Sequence, residues 1–121
     1  MAKLIDKPAV IQAAGNKPKV IQEYIGRMNS KTTAASIAHL ISPEGWIEPG
    51  QTPEFDEYSI VLEGTLQIQT KKGNLQVKKG QAAIAPKGEW VRYSTPHKGG
   101  ASYIAICLPA FAMETVHRDA E

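Results

Sequence analysis

The 121-residue chain carries 14 basic and 12 acidic residues, a near balance that gives a net charge of +2. So small an excess, spread along the chain, argues against nucleic acid as a partner, and no apolar run approaches the length of a membrane span. The single cysteine, Cys107, excludes an internal disulfide and fits a reducing compartment, so we expect a cytoplasmic protein. Three histidines, His39, His97 and His117, permit at most one histidine-rich metal site.

The first 29 residues contain two short segments that we treat as an extension of the domain. The segment 8–15 follows Asp6, a residue type that caps helices, and ends in Gly15, so we predict a short N-terminal helical segment there. Residues 20–25 favour a strand, because β-branched side chains dominate the apolar positions and Gly26 ends the run.

From residue 30 onward, short runs rich in Ile, Val, Tyr and Thr alternate with turns made of Gly, Pro, Ser and Asn. The predicted strands are 33–41, 58–62, 65–70, 75–77, 82–85, 91–94 and 102–108. This punctuation predicts an all-β sandwich or barrel. The end of the chain is polar, so we expect residues 110–121 to form a tail. We therefore predict one domain, 1–121, with its core barrel at about 30–109.

Two glycine-punctuated segments carry a family resemblance. The first runs from Gly45 through Glu57 to Gly64, and the second runs from Gly80 through Pro86 to Gly88. Their spacing resembles that of the two sequence motifs of the cupin superfamily. The resemblance implies the cupin double-stranded β-helix, a jelly-roll-like barrel.

Within that superfamily the segments 55–66 and 80–111 are most similar to the cupins of the ethanolamine-utilisation Q type. An acetate kinase activity has been attributed to that group, so the resemblance implies an enzyme on a small carboxylate or phosphorylated substrate as one alternative. By position, only the acidic pair Asp56 and Glu57 in this chain can be matched to functional residues of that group. The sequence has no glycine-rich loop of the kind that cradles phosphate, so nucleotide binding has no independent support.

The histidines of the cupin motifs are replaced in this chain. The two slots of the first motif hold Gln51 and Pro53, and the slot of the second holds Val91. Because proline and valine have no side-chain donor, the usual site of three imidazoles and a carboxylate cannot be built, and we expect no metal and no other cofactor. A weaker alternative is a divalent zinc, nickel, manganese or iron ion held by His39, Gln51 and Glu57.

Strand periodicity predicts which side chains face the barrel interior. If Glu57 points inward, Ser59 shares its face, and an inward Val91 brings Tyr93 with it. His39 has the parity of its apolar neighbours on a predicted strand, so it faces either the interior or a packed outer surface. The expected ligand-binding residues are Gln51, Glu57, Ser59, Val91, Tyr93 and His39. Such a mostly apolar lining with a few polar groups is typical of a small-molecule pocket.

The leading hypothesis is therefore a metal-poor cupin that binds a small polar metabolite. As an enzyme, the chain would use Glu57 as general acid or base and Tyr93 as a hydrogen-bond donor to an oxyanion. The alternative role for Glu57 is only to fix the strand register by pairing with a backbone donor or an arginine. A metal-dependent enzyme with ligands outside the motifs is the third hypothesis. We expect a homodimer through an outer face that includes Tyr58, Ile60 and Leu62, and no nucleic-acid or membrane partner.

Overall fold

A computed structural model describes residues 1–120, and its regular structure is almost entirely antiparallel strand. The strands are β1 (Ala9–Ile11), β2 (Val20–Ile25), β3 (Ser36–Ser42), β4 (Trp46–Ile47), β5 (Asp56–Thr70), β6 (Gly73–Lys78), β7 (Ala82–Ala85), β8 (Val91–Thr95) and β9 (Ala101–Leu108). One helical turn, α1 (Met113–Val116), follows them. The predicted all-β fold is confirmed, and the predicted runs 58–62 and 65–70 belong to the single strand β5.

Strand β5 joins the two sheets of the barrel. Its first half pairs with β9 and β7, and its second half pairs with β8 and β6. The order across the continuous sheet is β1-β2-β3-β9-β5-β8-β4, with β6 and β7 also bonded to β5. Because β5 passes from one sheet to the other, the inner faces of both sheets enclose one interior.

The passage of β5 between the sheets depends on a bulge and a glycine. The register against β9 shifts between Val61 and Glu63, and Gly64 follows with a φ of +78°. A Cβ atom at Gly64 would lie 2.0 Å from the carbonyl oxygen of Gly100. Only glycine combines this left-handed backbone with so close an approach of a second chain segment.

The core follows the period-two alternation of the strands. In β9 the residues from Ala101 to Cys107 alternate between buried and half-buried positions. Trp46 and Leu66 are fully buried, and Val61 and Tyr103 are each 1% exposed. These side chains form one apolar cluster that fixes which faces of the strands point inward.

The predicted N-terminal helical segment is wrong, because residues Ala9–Ile11 form strand β1 at the edge of the sheet. β1 pairs with β2, and pairing in a sheet overrides a weak local preference for helix. Gly15 does not end a helix. It lies against the indole of Trp46, and a Cβ atom there would lie 2.3 Å from Trp46 Nε1. Together β1 and β2 extend the sheet beyond the range 30–109 expected for the barrel.

The C-terminal residues also differ from the expected tail. Val116 in α1 is 2% exposed and packs with Phe55 and Cys107. Arg118 forms an isolated backbone bridge with Gln51. The polar side chains of 110–120 misled the sequence interpretation, because a few apolar contacts and backbone hydrogen bonds suffice to hold this segment against the barrel.

Candidate functional site

A cavity lies inside the barrel and opens at one end. Its volume is about 80 Å³, with further open space at its mouth, so it suits only a small molecule. Its apolar wall includes Ile11, Ile21, Ala38, Leu40, Ala105 and Phe111. Its polar side chains include Lys19, Glu48, Gln51, Glu57, Tyr93, Tyr103 and Arg118. With Glu23, the lining thus combines an apolar wall with two cationic side chains, three carboxyl groups and two phenols.

Glu57 is positioned by β5, whose pairing places it opposite Ala85 and Cys107. The Cys107 thiol donates a long hydrogen bond to Glu57 Oε1, with 3.8 Å between Sγ and the oxygen. Burial and the Glu48 charge raise the pKa of Glu57, Lys19 and the nearby Cys107 and Tyr93 side chains oppose them, and the resulting pKa is about 7. Near neutral pH this carboxyl group therefore exists in both protonation states, as a general acid or base requires.

Lys19 enters the cavity from the segment before β2. Its Nζ donates a hydrogen bond of 2.7 Å to Tyr103 Oη and lies 3.6 Å from the centre of the Trp46 ring. Burial lowers the pKa of Lys19, the charges of Glu48 and Glu57 partly offset this effect, and the resulting pKa is about 8. The amine is thus held in a fixed place by an aromatic ring and a phenol.

Sequence reasoning missed Lys19, although one signal was present. Lys19, Ile21 and Glu23 all line the cavity at alternating positions, so a predicted strand that began one residue earlier would have included the lysine on the inner face. Glu23 is satisfied within the protein, since its Oε2 accepts hydrogen bonds from the backbone N–H groups of Met28 and Asn29 at 3.0 Å each.

Glu48 and Arg118 were also missed. Glu48 follows β4, where alternation with the buried Trp46 and the exposed Ile47 directs it inward. Burial raises its pKa, and the charges of Lys19 and Arg118 oppose that shift. Arg118 comes from the C-terminal segment, with its guanidinium carbon 5.8 Å from the centre of the Phe111 ring. No sequence signal placed that segment beside the barrel.

Two polar atoms of the cavity residues are buried without a hydrogen-bond partner among residues 1–120. They are Tyr93 Oη and Arg118 Nε. Burial raises the pKa of Tyr93 well above its usual value, so the phenol keeps its proton and remains a donor. A buried donor without a partner is costly, and a bound molecule would supply the missing acceptor.

Of the six expected ligand-binding residues, Gln51, Glu57 and Tyr93 line the cavity. Ser59 and Val91 lie on the inner face, as alternation predicted, but they are buried in the core rather than exposed to the cavity. The expected placement of His39 is corrected: its ring lies on the outer face of β3, where Nε2 is 2.7 Å from Ser102 Oγ. Leu40 and its alternating neighbours occupy the inner face instead.

The donors present do not fit the metal site of the cupin motifs. At the motif positions the chain offers one amide from Gln51 and one carboxylate from Glu57, while Pro53 and Val91 offer none. The alternative set with His39 is not brought together, because that ring is on the other side of the sheet. Within residues 1–120, no three His, Cys, Asp or Glu side chains are grouped as metal ligands.

Comparison with solved structures identifies the class of fold. Ethanolamine utilization protein Q from Salmonella typhimurium has a TM-score of 0.68 and 15% identity, covering 87% of this chain and 98% of that one. The polyketide cyclase RemF from Streptomyces resistomycificus has a TM-score of 0.71 and 16% identity, covering 100% and 87%. A variant of oxalate decarboxylase from Bacillus subtilis has a TM-score of 0.75 and 12% identity, covering 98% and 34%. The chain has the cupin fold.

No family model matches the chain. Among curated proteins, the endoribonuclease YbeY of Myxococcus xanthus is 38% identical over 101 residues, which are 84% of this chain and 34% of that protein. The chain therefore spans about a third of the length of this relative. No helix within residues 1–120 is long and apolar enough to cross a membrane.

Proposed function

We propose that the chain binds a small polar metabolite in the barrel cavity. The observation that carries the proposal is that four ionisable side chains converge on this cavity without an ion pair between them: Lys19, Glu48, Glu57 and Arg118. The ion pairs within residues 1–120 join Lys79 to Glu63 and His117 to Glu54, both outside the cavity. Charges held in a partly buried place without an oppositely charged group in direct contact are costly, and a ligand with complementary groups offsets that cost.

The arrangement of these groups favours a ligand with an anionic group and at least one hydroxyl or carbonyl oxygen. Arg118 and Lys19 supply two cationic donors for a carboxylate or a similar anion. The unpartnered Tyr93 Oη supplies a neutral donor for an oxygen. The apolar wall then accommodates a short carbon skeleton.

A second candidate function is acid–base catalysis on the same ligand class, as in the sequence-based alternative. It is favoured by Glu57, whose carboxyl group titrates near pH 7 inside the cavity. A substrate that the wild type converts at a rate unchanged by Glu57→Gln would exclude this role. Endoribonuclease activity is not part of the proposal, since the chain spans only 34% of the relative that bears that name.

The test is a thermal-shift screen of small carboxylic acids, hydroxy acids, sugars and nucleotides, followed by calorimetric titration of the best ligand. A ligand that binds only the native state raises the unfolding temperature. Tyr93→Phe removes one hydrogen bond of about 1 kcal/mol and is expected to weaken binding by roughly five- to tenfold. Tyr24→Phe is the matched control, because Tyr24 is exposed on β2. Equal affinity in wild type and Tyr93→Phe would contradict the proposed site.

A further inference from the structure

We propose that the amine of Lys19 condenses reversibly with a small aldehyde or ketone bound in the cavity to form an imine. The inference rests on the proposed function, because the carbonyl compound would occupy the same cavity. It adds a covalent step and narrows the ligand to a carbonyl compound with an anionic group, such as a 2-oxo acid.

The first support is the position of the amine. Lys19 Nζ lines the cavity and is held at two points, by Tyr103 Oη at 2.7 Å and by the Trp46 ring at 3.6 Å. Neither contact is with a carboxylate, so no ion pair has to be broken before the amine reacts. Lys17, two residues earlier, makes the contrast: its Nζ is exposed and donates to the carbonyl oxygen of Glu44 at 3.0 Å.

The second support is the charge state of the amine. Only the neutral amine has the lone pair that attacks a carbonyl carbon. Burial lowers the pKa of Lys19 to about 8, with Arg118 acting in the same direction and Glu48 and Glu57 opposing it. At pH 7 about a tenth of such amines are neutral, compared with less than about a thousandth for an ordinary lysine.

The third support is a set of groups that can move the protons of the reaction. The Lys19 ammonium first gives a proton to the Glu57 carboxylate, and the nitrogen then bonds to the carbonyl carbon while the C=O electron pair moves to oxygen. Tyr93 Oη donates a hydrogen bond to that oxygen, which takes up a proton released by the newly bonded, positively charged nitrogen to give a neutral carbinolamine. Glu57 returns its proton as the C–O bond breaks, so that water leaves and a protonated imine remains. The ammonium and the carbonyl compound thus become an iminium ion and one water, without an oxidant or a reductant.

The experiment traps the imine in the full chain. The protein is incubated with glyoxylate, the smallest aldehyde that carries a carboxylate, and with sodium cyanoborohydride, which reduces the imine to a stable carboxymethyl amine. Peptide mass spectrometry then measures the modification rate of each lysine separately. We expect Lys19 to be modified at least tenfold faster than Lys17. The rate at Lys19 should level off above about pH 8, where most of its amine is neutral.

Equal rates at Lys19 and Lys17 in the wild type would overturn the inference, and this comparison needs no variant that must fold. Lys19→Arg is expected to abolish the fast modification, and the matched Lys17→Arg to leave it unchanged. Glycolate, which has a hydroxyl group in place of the aldehyde, separates the two proposals. Stabilisation by glycolate without fast trapping of glyoxylate at Lys19 would refute the imine and leave the proposed ligand binding intact.

Discussion

The raised pKa of the Glu57 carboxyl group leads to a prediction about how the free energy of unfolding depends on pH. Its pKa in the folded protein is raised from 4.5 to about 7, so the folded state binds this proton more tightly than the unfolded state does. Stability is therefore highest below about pH 4.5 with respect to this group and falls as the pH rises to 7. A shift of this size corresponds to about 3 kcal/mol.

The perturbation is Glu57→Gln, which keeps the shape of the side chain and removes the charge. The variant should exceed the wild type in free energy of unfolding by about 1 kcal/mol at pH 5 and by about 3 kcal/mol at pH 8. The gain across this window is therefore about 2.5 kcal/mol, because the unfolded carboxyl group, with a pKa of 4.5, is already largely ionised at pH 5. A gain of this size raises the midpoint of thermal unfolding by several degrees.

The assay is urea unfolding of both proteins between pH 5 and pH 8, a window in which Lys19, with a pKa of about 8, loses its proton only near the upper end. Glu63→Gln is the control on the same strand, since Glu63 forms an exposed pair with Lys79 at 3.0 Å that contributes little. A stability difference between wild type and Glu57→Gln that stays constant across the window would refute the reasoning. It would mean that contacts in the folded protein fully offset the cost of burying the ionised Glu57 carboxylate.

Two further predictions concern the frame around the cavity. Gly64→Ala should destabilise the fold by more than about 2 kcal/mol, because the new Cβ atom would lie 2.0 Å from the carbonyl oxygen of Gly100. Gly80→Ala is the control: its φ is +82° but its Cβ atom would meet open space, so it should cost only about 1 kcal/mol. Equal costs of the two substitutions in urea unfolding would contradict this account. We also propose the homodimer expected from the sequence. Ile60 is 41% exposed and paired with Ile104, and it should lie in the dimer contact. Ile60→Lys should therefore sediment as a monomer, whereas the control Leu75→Lys on β6 should not. A wild-type monomer at micromolar concentration would rule the dimer out.

The sequence predicted the frame of the barrel well because its turns need particular residues. Gly45, Gly64, Gly80 and Gly88 all have φ near +80°, a backbone conformation that other residues adopt only with strain. Their spacing therefore indicates where strands end or, at Gly64 inside β5, where a strand passes from one sheet to the other. Alternation then placed Glu57 on the inner face, since the direction of a side chain in a strand follows from its parity.

The chemistry of the cavity was less predictable, for reasons of geometry. Lys19 and Arg118 come from segments outside the two motifs, and local sequence does not say which segments pack beside the open end of a barrel. For His39, parity alone gives two equivalent faces, and only the pairing of β3 with β9 decides that Leu40 is inside. The helix predicted near residue 10 failed because a three-residue strand has too little local pattern to compete with a capping signal.

The long strand β5 has a consequence for how the barrel folds. Four other strands, β6 to β9, form hydrogen bonds with β5, and β9 lies near the C-terminal end of the chain. Both sheets therefore share one strand, and the sheet that contains β1, β2, β3 and β9 joins the two ends of the chain. We expect unfolding to be all-or-none, with the backbone amides of β5 exchanging with solvent only when the whole barrel opens.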